Sequence, residues 1–541
     1  MVKKKNLLIA LAVVITIAAG TLPAGAATYY VKNGGNNSAD GLSDATAWAT
    51  INKVNSQTFS PGDVIRFKRG DTWRIPEDAQ LIPDSGSAAG YITYTSYGND
   101  PNMPLFLGSI EKNNTSDWTN TGGNKWATAN GSFPLDVGNL IFNKEESCGH
   151  KVWNSTDLNV QGEFWYDETL DKLVLYSTSN PADYYSDIEC AVTKHIINLA
   201  NRSYVILENL DLRYGAAHGI WAYFSHHIII RDNDLSYIGG GDQYGGTKTT
   251  RYGNGIEFWS SNHDIWVERN RIWEAYDNAM TNQSGTTATS QYNIYYRYNV
   301  IWNTGVPYVY FAQNAATLVY NIYVENNVIV NTGYGWSYPE NNKAWALKFW
   351  KNMGDVSDFY VRNNIIYESK IYSLSMVNPQ PGKIMFNYNC WYQASGNMID
   401  YGGTTYTMAQ FPDYQANESQ DANSIAANPV FVDLAGGDYR LQDSSPCIDT
   451  ALNTGQTEDF DYNPIIPAGS PDMGAFEWTL AADFDHNGAV DFLDYAIFGG
   501  AWRTTSADSD YDDAYDLVDN NSIDYDDLGS FTNDWLWSAG N

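Results

Sequence analysis

Three carboxylates, Asp242, Glu257 and Asp277, fall in one stretch of the chain. Glycoside hydrolysis needs two such groups. One protonates the leaving oxygen, and the other attacks or activates water, at about 5.5 Å for retention or 6.5–9.5 Å for inversion. Glu257 and Asp277 form the preferred pair, with Asp242 as substitute. A second set, His218, Arg251 and Lys348, has the types a polysaccharide lyase uses. A cation neutralises the uronate, and a base, such as a lysine of lowered pKa, takes the C5 proton. Trp221, Tyr310, Asn254 and Asn278 would supply rings and amides for sugar contacts. The Gly-rich run 239–253 is a long departure from the surrounding pattern, which favours a functional loop. Its glycine spacing does not fit a phosphate cradle.

A different chemistry stands near the C-terminal end. The run from Asp483 to Asp494 fits an EF-hand calcium loop, with Asp in place of Glu at the last position. Its oxygen ligands would be Asp483, Asp485, Asn487, the Ala489 carbonyl, Asp491 and Asp494, and Gly488 would supply the sharp turn. A degenerate second copy runs from Asp516 to Asp527 and offers Asp516, Asn520 and Asp527, with Val518 at a ligand position and Asn521 in place of the glycine. A helix is expected after each loop, the first ending near Gly499-Gly500. Calcium is the one cofactor expected. The four cysteines, Cys148, Cys190, Cys390 and Cys447, allow three pairings, and the absence of CxxC or HExxH patterns gives zinc little support.

The elements that must position these groups repeat. From Tyr204 to Tyr392 an alternating apolar phrase followed by Asn recurs at intervals of roughly 24–37 residues. Copies contain Asn209, Asn233, Asn270, Asn299, Asn327, Asn364 and Asn389. Period-2 alternation makes each copy a strand, and the Asn marks the turn after it. The fold class is all-β, and a right-handed parallel β-helix fits best. Aligning the coils turns Ile220, Ile256, Met280, Val309 and Leu347 inward. Trp221, Glu257, Thr281, Tyr310 and Lys348 then form one outward column, preceded by His218, Asn254 and Asn278. A one-residue slip would turn Glu257 inward. Asp277 lies four residues off the column, about 13 Å along a straight strand, so the pair requires a bend near Asn278. Lys348 is three coils, about 14 Å, from Glu257, too far to share one compact site.

Residues 28–105 open with Tyr29-Tyr30-Val31, a short helix over Thr50 to Val54, and a turn–strand–turn from Pro61 to Asp71. This block resembles the N-terminal cap of secreted parallel β-helix proteins of the pectate-lyase-like superfamily. Asn428 to Asp433, Ser445 to Asp449 and Asp472 to Glu477 resemble their closing segment. The resemblance implies a capped β-helix over 27–478, with an inserted β subdomain at about 106–200. It does not fix the chemistry, because the fold hosts lyases, hydrolases, isomerases and adhesins. Residues 479–541, with paired loop–helix units and Trp502 and Trp535, are similar to a type I dockerin. That implies docking to a cohesin-type scaffold or cell-surface partner.

The totals agree with an exported protein. A basic Met1-Val2-Lys3-Lys4-Lys5, an apolar Leu7 to Ala19 and Ala24-Gly25-Ala26 form a signal peptide over 1–26. No second apolar run is long enough to span a membrane. A formal net charge of −32 argues against nucleic acid as a partner. An aromatic content of 15% suits either sugar stacking or a core. A polysaccharide-degrading glycoside hydrolase is the first reading. A uronate lyase and a non-catalytic carbohydrate-binding surface protein are the alternatives.

Overall fold

The computed structural model describes residues 25–245, 249–465, 470–485, 489–509, 511–518 and 520–535. Residues 1–24 of the expected 1–26 signal segment lie outside them, as does Asn487 of the first acidic loop. Two units are present, Ala27–Leu452 with Pro471–Trp478, and Asn453–Ser470 with Thr479–Asn541. The expected boundary at 478 thus differs at Asn453–Ser470. Pro471–Trp478 returns to the coil, where the Gly474 N–H donates to the Asn363 carbonyl.

Alternating apolar residues build a parallel β-helix with three faces per coil. The first face stacks the starts of the strands Ile220–Arg231 and Ile256–Glu268, then Asn278–Ser284, Val306–Ala312, Trp345–Met353 and Tyr372–Met376. The second face continues those two long strands and adds Ser290–Arg297, Leu318–Glu325 and Phe359–Arg362. Short strands from Asp211–Arg213 to Cys390–Tyr392 make the third. All these pairings are parallel, so every coil places like positions above one another. Ile228, Ile265, Ile294, Ile322 and Phe359 form one buried column of the core.

The repeated Asn does more than mark a turn. Between the second and third faces, Asn233, Asn270, Asn299, Asn327, Asn364 and Asn389 form a buried ladder, each accepting from the N–H and Nδ2 of the one before. Before each rung the backbone is left-handed, with φ of +51° to +58° from Asp232 through Arg269, Tyr298, Asn326 and Asn363 to Tyr388. Asn209 is a correction to the sequence phrase. It occupies this left-handed position at φ +56°, while Leu210 takes the rung and its N–H donates to Asn233 Oδ1.

At one end the helix Ile51–Asn55, capped by the Thr50 side chain, buries Ile51 and Val54 in the main core. Between the strands Leu105–Leu107 and Ile197–Asn198, a four-stranded and a five-stranded sheet form an insertion with its own core around Phe133, Leu140 and Phe164. The four cysteines are free thiols.

Among its described residues the second unit contains two α-helices, Phe492–Ala501 and Tyr525–Asn533. The first runs through Gly499-Gly500 to Ala501 rather than stopping at the glycines. No described helix is long and apolar enough to cross a membrane.

Candidate active site

Strand register fixes the outward column of the first face as Trp221, Glu257, Thr281, Val309, Lys348, Ser375 and Asp400. Ile256 and Phe258 flank Glu257 and point into the core, so the Glu257 side chain leaves the sheet on its outer side. One expected member is corrected. Val309 stands in the column, while Tyr308 and Tyr310 turn inward and are 0 % exposed. Val306-Pro307-Tyr308-Val309-Tyr310 alternates in either phase. The aromatic phase fills more core and satisfies its hydroxyls, with Tyr308 donating to Asn282 Oδ1 and Tyr310 to the Met353 carbonyl. Tyr310 is therefore core, not a sugar contact.

A short polar ladder runs along the turn that enters this face. The His218 N–H donates to His195 Nδ1 at 3.3 Å, and the Asn254 N–H donates to His218 Nδ1 at 3.0 Å. Asn254 Oδ1 then accepts the Asn278 N–H at 3.1 Å and Nδ2 at 2.6 Å. A backbone amide can only donate, so both imidazoles are unprotonated at Nδ1 and carry their hydrogen on Nε2. Burial holds His195 down to about 4. Burial, with His195 beside it, holds His218 well below the usual histidine range. His218 thus offers a neutral Nε2–H donor. Its one lone pair is already taken, which removes it as the lyase base.

Glu257 is only 2 % exposed, and Asn254 Nδ2 donates to its Oε2. Burial pushes its carboxyl up to about 8, against the Asn254 hydrogen bond and with Asp277 adding to the rise. At neutral pH Glu257 therefore carries a proton. Its neighbour Thr281 is buried, and Thr281 Oγ1 has no hydrogen-bond partner among the described residues.

The chain bends where it enters this face. Asn254 lies three residues before Glu257, about 10 Å away along a straight strand, yet its amide reaches the carboxyl. One coil further on, Asp277 lies on the same turn, where its N–H donates to the Gly253 carbonyl at 3.2 Å. The Asp277 carboxylate pairs with Lys343 Nζ. Lys343 comes from the excursion 333–344, which is tied down at Trp336 and Asn341. Trp336 donates to Glu274 Oε2 and to the Glu274 carbonyl at 2.8 Å each, and Asn341 donates to the Tyr276 carbonyl.

Arg251 and Asp242 have other roles. The Arg251 guanidinium is buried, donates to the Gly240 carbonyl at 2.6 Å and the Gly138 carbonyl at 2.5 Å, and pairs with Glu340. It lies 4.4 Å over Tyr276 and 5.6 Å from Trp336. So engaged, it clamps the insertion and the excursion to the coil and is not free to neutralise a uronate, contrary to expectation. Asp242 pairs across a two-stranded ribbon with Arg251, and its N–H donates to Asp136 Oδ2 of the insertion at 2.7 Å. The Gly-rich loop is thus anchored at its base, and residues 246–248 lie outside the described ones.

Lys348 stands three coils from Glu257, as expected. Its Nζ donates to Ser375 Oγ at 2.8 Å and lies 4.4 Å from the Trp345 ring and 5.3 Å from Trp350. Burial lowers its pKa, and Asp400 opposes that. Trp221 stacks on His195 at 4.9 Å and Tyr223 at 5.9 Å.

His195, Tyr252 and Lys343 were not read from the sequence. His195 precedes Ile196-Ile197 as His218 precedes Gly219-Ile220, so extending the alignment one coil would have found it. Tyr252, 5.3 Å from His218, and Lys343 lie outside the periodic strands and carry no such signal.

In the second unit the carboxylates of Asp483, Asp485 and Asp494 converge, with one oxygen of each within 4.8 Å of the others. Asp491 caps the following helix, donated to by the Leu493 N–H at 2.7 Å. In the second loop the Asp516 carboxylate accepts from Tyr511 Oη at 2.8 Å, and from the Asn520 N–H at 3.1 Å and the Asn521 N–H at 2.7 Å. Asp527 accepts from the N–H groups of Val518 and Asp524.

No family model matches the chain, and no curated protein matches it. Among solved structures it is similar to one titled a glycoside hydrolase, at 10% identity and TM-score 0.45, over 70% of this chain and 95% of that one. Pectate lyase Pel9A aligns at 13% identity and TM-score 0.44, over 84% and 98%. XylC in complex with xylose aligns at 13% identity and TM-score 0.40, over 84% and 98%. With these scores below 0.5, the fold assignment stands on the strand register itself.

Proposed function

We propose that this chain is a secreted polysaccharide-degrading enzyme, a glycoside hydrolase whose acid is Glu257 and whose second carboxyl is Asp277. One observation carries the reading: a buried carboxyl that holds its proton, linked electrostatically to a second carboxyl that is paired with an ammonium. Burial keeps a proton on Glu257 and Asp277 adds to that rise, while the Asp277 carboxylate pairs with Lys343 Nζ. A proton donor and a second carboxyl are what protonation of a glycosidic oxygen and attack at the anomeric carbon require. In this mechanism Glu257 donates its proton to the leaving oxygen. Asp277 attacks the anomeric carbon or takes a proton from an attacking water. Asn254 orients the acid, His218 Nε2–H offers a hydrogen bond to a sugar hydroxyl, and Trp221 and Asn278 line the approach.

The test is product analysis on a polysaccharide panel. Hydrolysis releases reducing ends without the ultraviolet absorbance of unsaturated uronates. Glu257→Gln and Asp277→Asn should each lower turnover by about 10²-fold or more. Near-native activity in both variants would discard the pair.

Lys348 favours a second reading, lyase action. It is a lysine of lowered pKa between two indoles, with Trp350 45 % exposed. Unsaturated products abolished by Lys348→Ala would select it.

For the second unit we propose calcium in the first acidic loop, held by Asp483, Asp485 and Asp494, with the Ala489 carbonyl and Asp491 completing an oxygen set. The convergence of three carboxylates supports this, because their mutual repulsion calls for a cation. The second loop, through Asp516, Asn520 and Asp527, is the weaker site. The unit as a whole would serve to dock a cohesin-type partner.

A further inference from the structure

We propose that His226, His227 and His263, oriented by Asp264, form a binding site for a divalent transition-metal ion at the corner between the first and second faces. One ring nitrogen from each of the three imidazoles lies within 4.8 Å of the others. His226 Nδ1 and His227 Nδ1 are 2.9 Å apart. Two imidazole nitrogens at that distance either share a proton or point their lone pairs at a cation.

The framework is set by the coil. Register places His226 directly beside His263, with rings 4.8 Å apart and parallel to within 1°. His227 and Asp264 occupy the left-handed corner position on the same two coils, at φ +53° and +55°. Asn293 Nδ2 donates to Asp264 Oδ1 at 2.8 Å, which fixes the carboxylate so that Oδ2 faces His263 Nδ1 at 2.7 Å and His227 Nδ1 at 3.8 Å. A carboxylate accepting from His263 Nδ1–H leaves Nε2 with the lone pair, the arrangement by which acidic residues orient metal-ligating imidazoles. Tyr204 stacks on His227 at 4.3 Å and limits its rotation.

All four groups are partly buried, so water reaches the site and a fourth coordination position stays open. Three nitrogens at about 2.0–2.1 Å and one open position suit Zn²⁺ and its neighbours Co²⁺, Ni²⁺ and Cu²⁺ rather than Ca²⁺ or Mg²⁺, which prefer oxygen. The alternative is that both histidines merely extend the outward ring stack, which continues through Tyr292 and Tyr320. Closing on an ion would rotate one imidazole out of that stack.

The full chain, stripped by chelator and returned to excess Ca²⁺ so that the acidic loops are filled, is titrated with Zn²⁺ by calorimetry and with Co²⁺ by visible absorption. The expected result is one Zn²⁺ per chain beyond the calcium sites, and a Co²⁺ spectrum of low coordination number. His263→Tyr keeps an aromatic ring in the stack and should weaken Zn²⁺ binding at least tenfold, with the metal-free melting transition unchanged. Asp264→Asn should weaken it by about 10–100-fold. His226→Phe is the second ligand variant if His263→Tyr does not fold. Absence of stoichiometric Zn²⁺ binding by the intact chain, or binding unchanged in the ligand variants, overturns the proposal.

Discussion

Glu257 is a charge-bearing residue placed where charge is disfavoured, and pH makes that measurable. A glutamate in an unfolded chain titrates near 4.3, whereas burial raises Glu257 to about 8. Between those values the folded protein binds the extra proton. The contribution to stability is therefore fully present below the unfolded value and is lost as pH rises through about 8. Glu257→Gln keeps an oxygen to accept from Asn254 and removes the titration. Denaturant unfolding should find the variant and the parent equally stable near pH 4, with the variant more stable by a few kcal/mol near pH 9. Glu274, raised to about 7 by burial, titrates in both proteins and cancels in the comparison. An unchanged difference across that range would place Glu257 in contact with water. Activity should move the other way, because losing the general acid lowers turnover at every pH.

At the scale of elements, the same residue type carries unequal weight according to its place in the coil. Asn299 takes part in a buried ladder. It accepts from the Asn270 N–H and Nδ2, and donates to Asn327 Oδ1 and to the carbonyls of Val267 and Arg297. Asn299→Ala leaves the Asn270 N–H without its acceptor and the Val267 and Arg297 carbonyls without the amide donor, while Asn270 Nδ2 keeps the carbonyls of Ile230 and Glu268; it should cost about 2–4 kcal/mol in chemical denaturation. Asn209→Ala should cost nearer 1 kcal/mol, since Asn209 only supplies a left-handed backbone. Similar losses at both sites would refute the ladder as the source of the difference. The alternation and the Asn were legible in the sequence, because each strand follows period 2 and each coil repeats its turn. The phase was not legible where both phases are apolar. The sequence cannot distinguish Val309 from Tyr308 and Tyr310 as core until buried acceptors exist for the phenol hydroxyls. The fate of Arg251 was equally hidden, because Glu340 and Trp336 belong to an excursion without periodicity. Much of the aromatic surplus is likewise structural. Trp266, Tyr295, Tyr323 and Tyr360 stack at 5.7, 4.8 and 5.3 Å, covering one another's faces on successive coils.

On the scale of the whole molecule, the proposed calcium would give the two units different sources of stability, and metal removal would separate them. The coil rests on stacked apolar columns and two polar ladders whose hydrogen bonds lie within the protein. Among its described residues the second unit has two small cores, one around Ala482, Val490 and Phe531 and one around Phe498, Ala501 and Ile523. Domains that small rarely hold together on hydrophobic burial alone, so the proposed ion would add a large share of their stability. In scanning calorimetry, chelating Ca²⁺ should lower one transition and leave the coil's transition in place. Calcium at 100 times its dissociation constant would raise the stability of the second unit by about 2.7 kcal/mol. Asp494→Ala should abolish the calcium response, since Asp494 joins the convergent carboxylates, and should also lower the unit's stability without calcium, since Asp494 accepts from the Asp485 N–H at 3.1 Å and the Asp491 N–H at 2.8 Å. Asp527→Ala removes an acceptor from the N–H groups of Val518 and Asp524 and should destabilise the unit with or without calcium. If instead Asp494→Ala left the calcium response intact, the first loop would not be its origin, and the assignment would pass to the second.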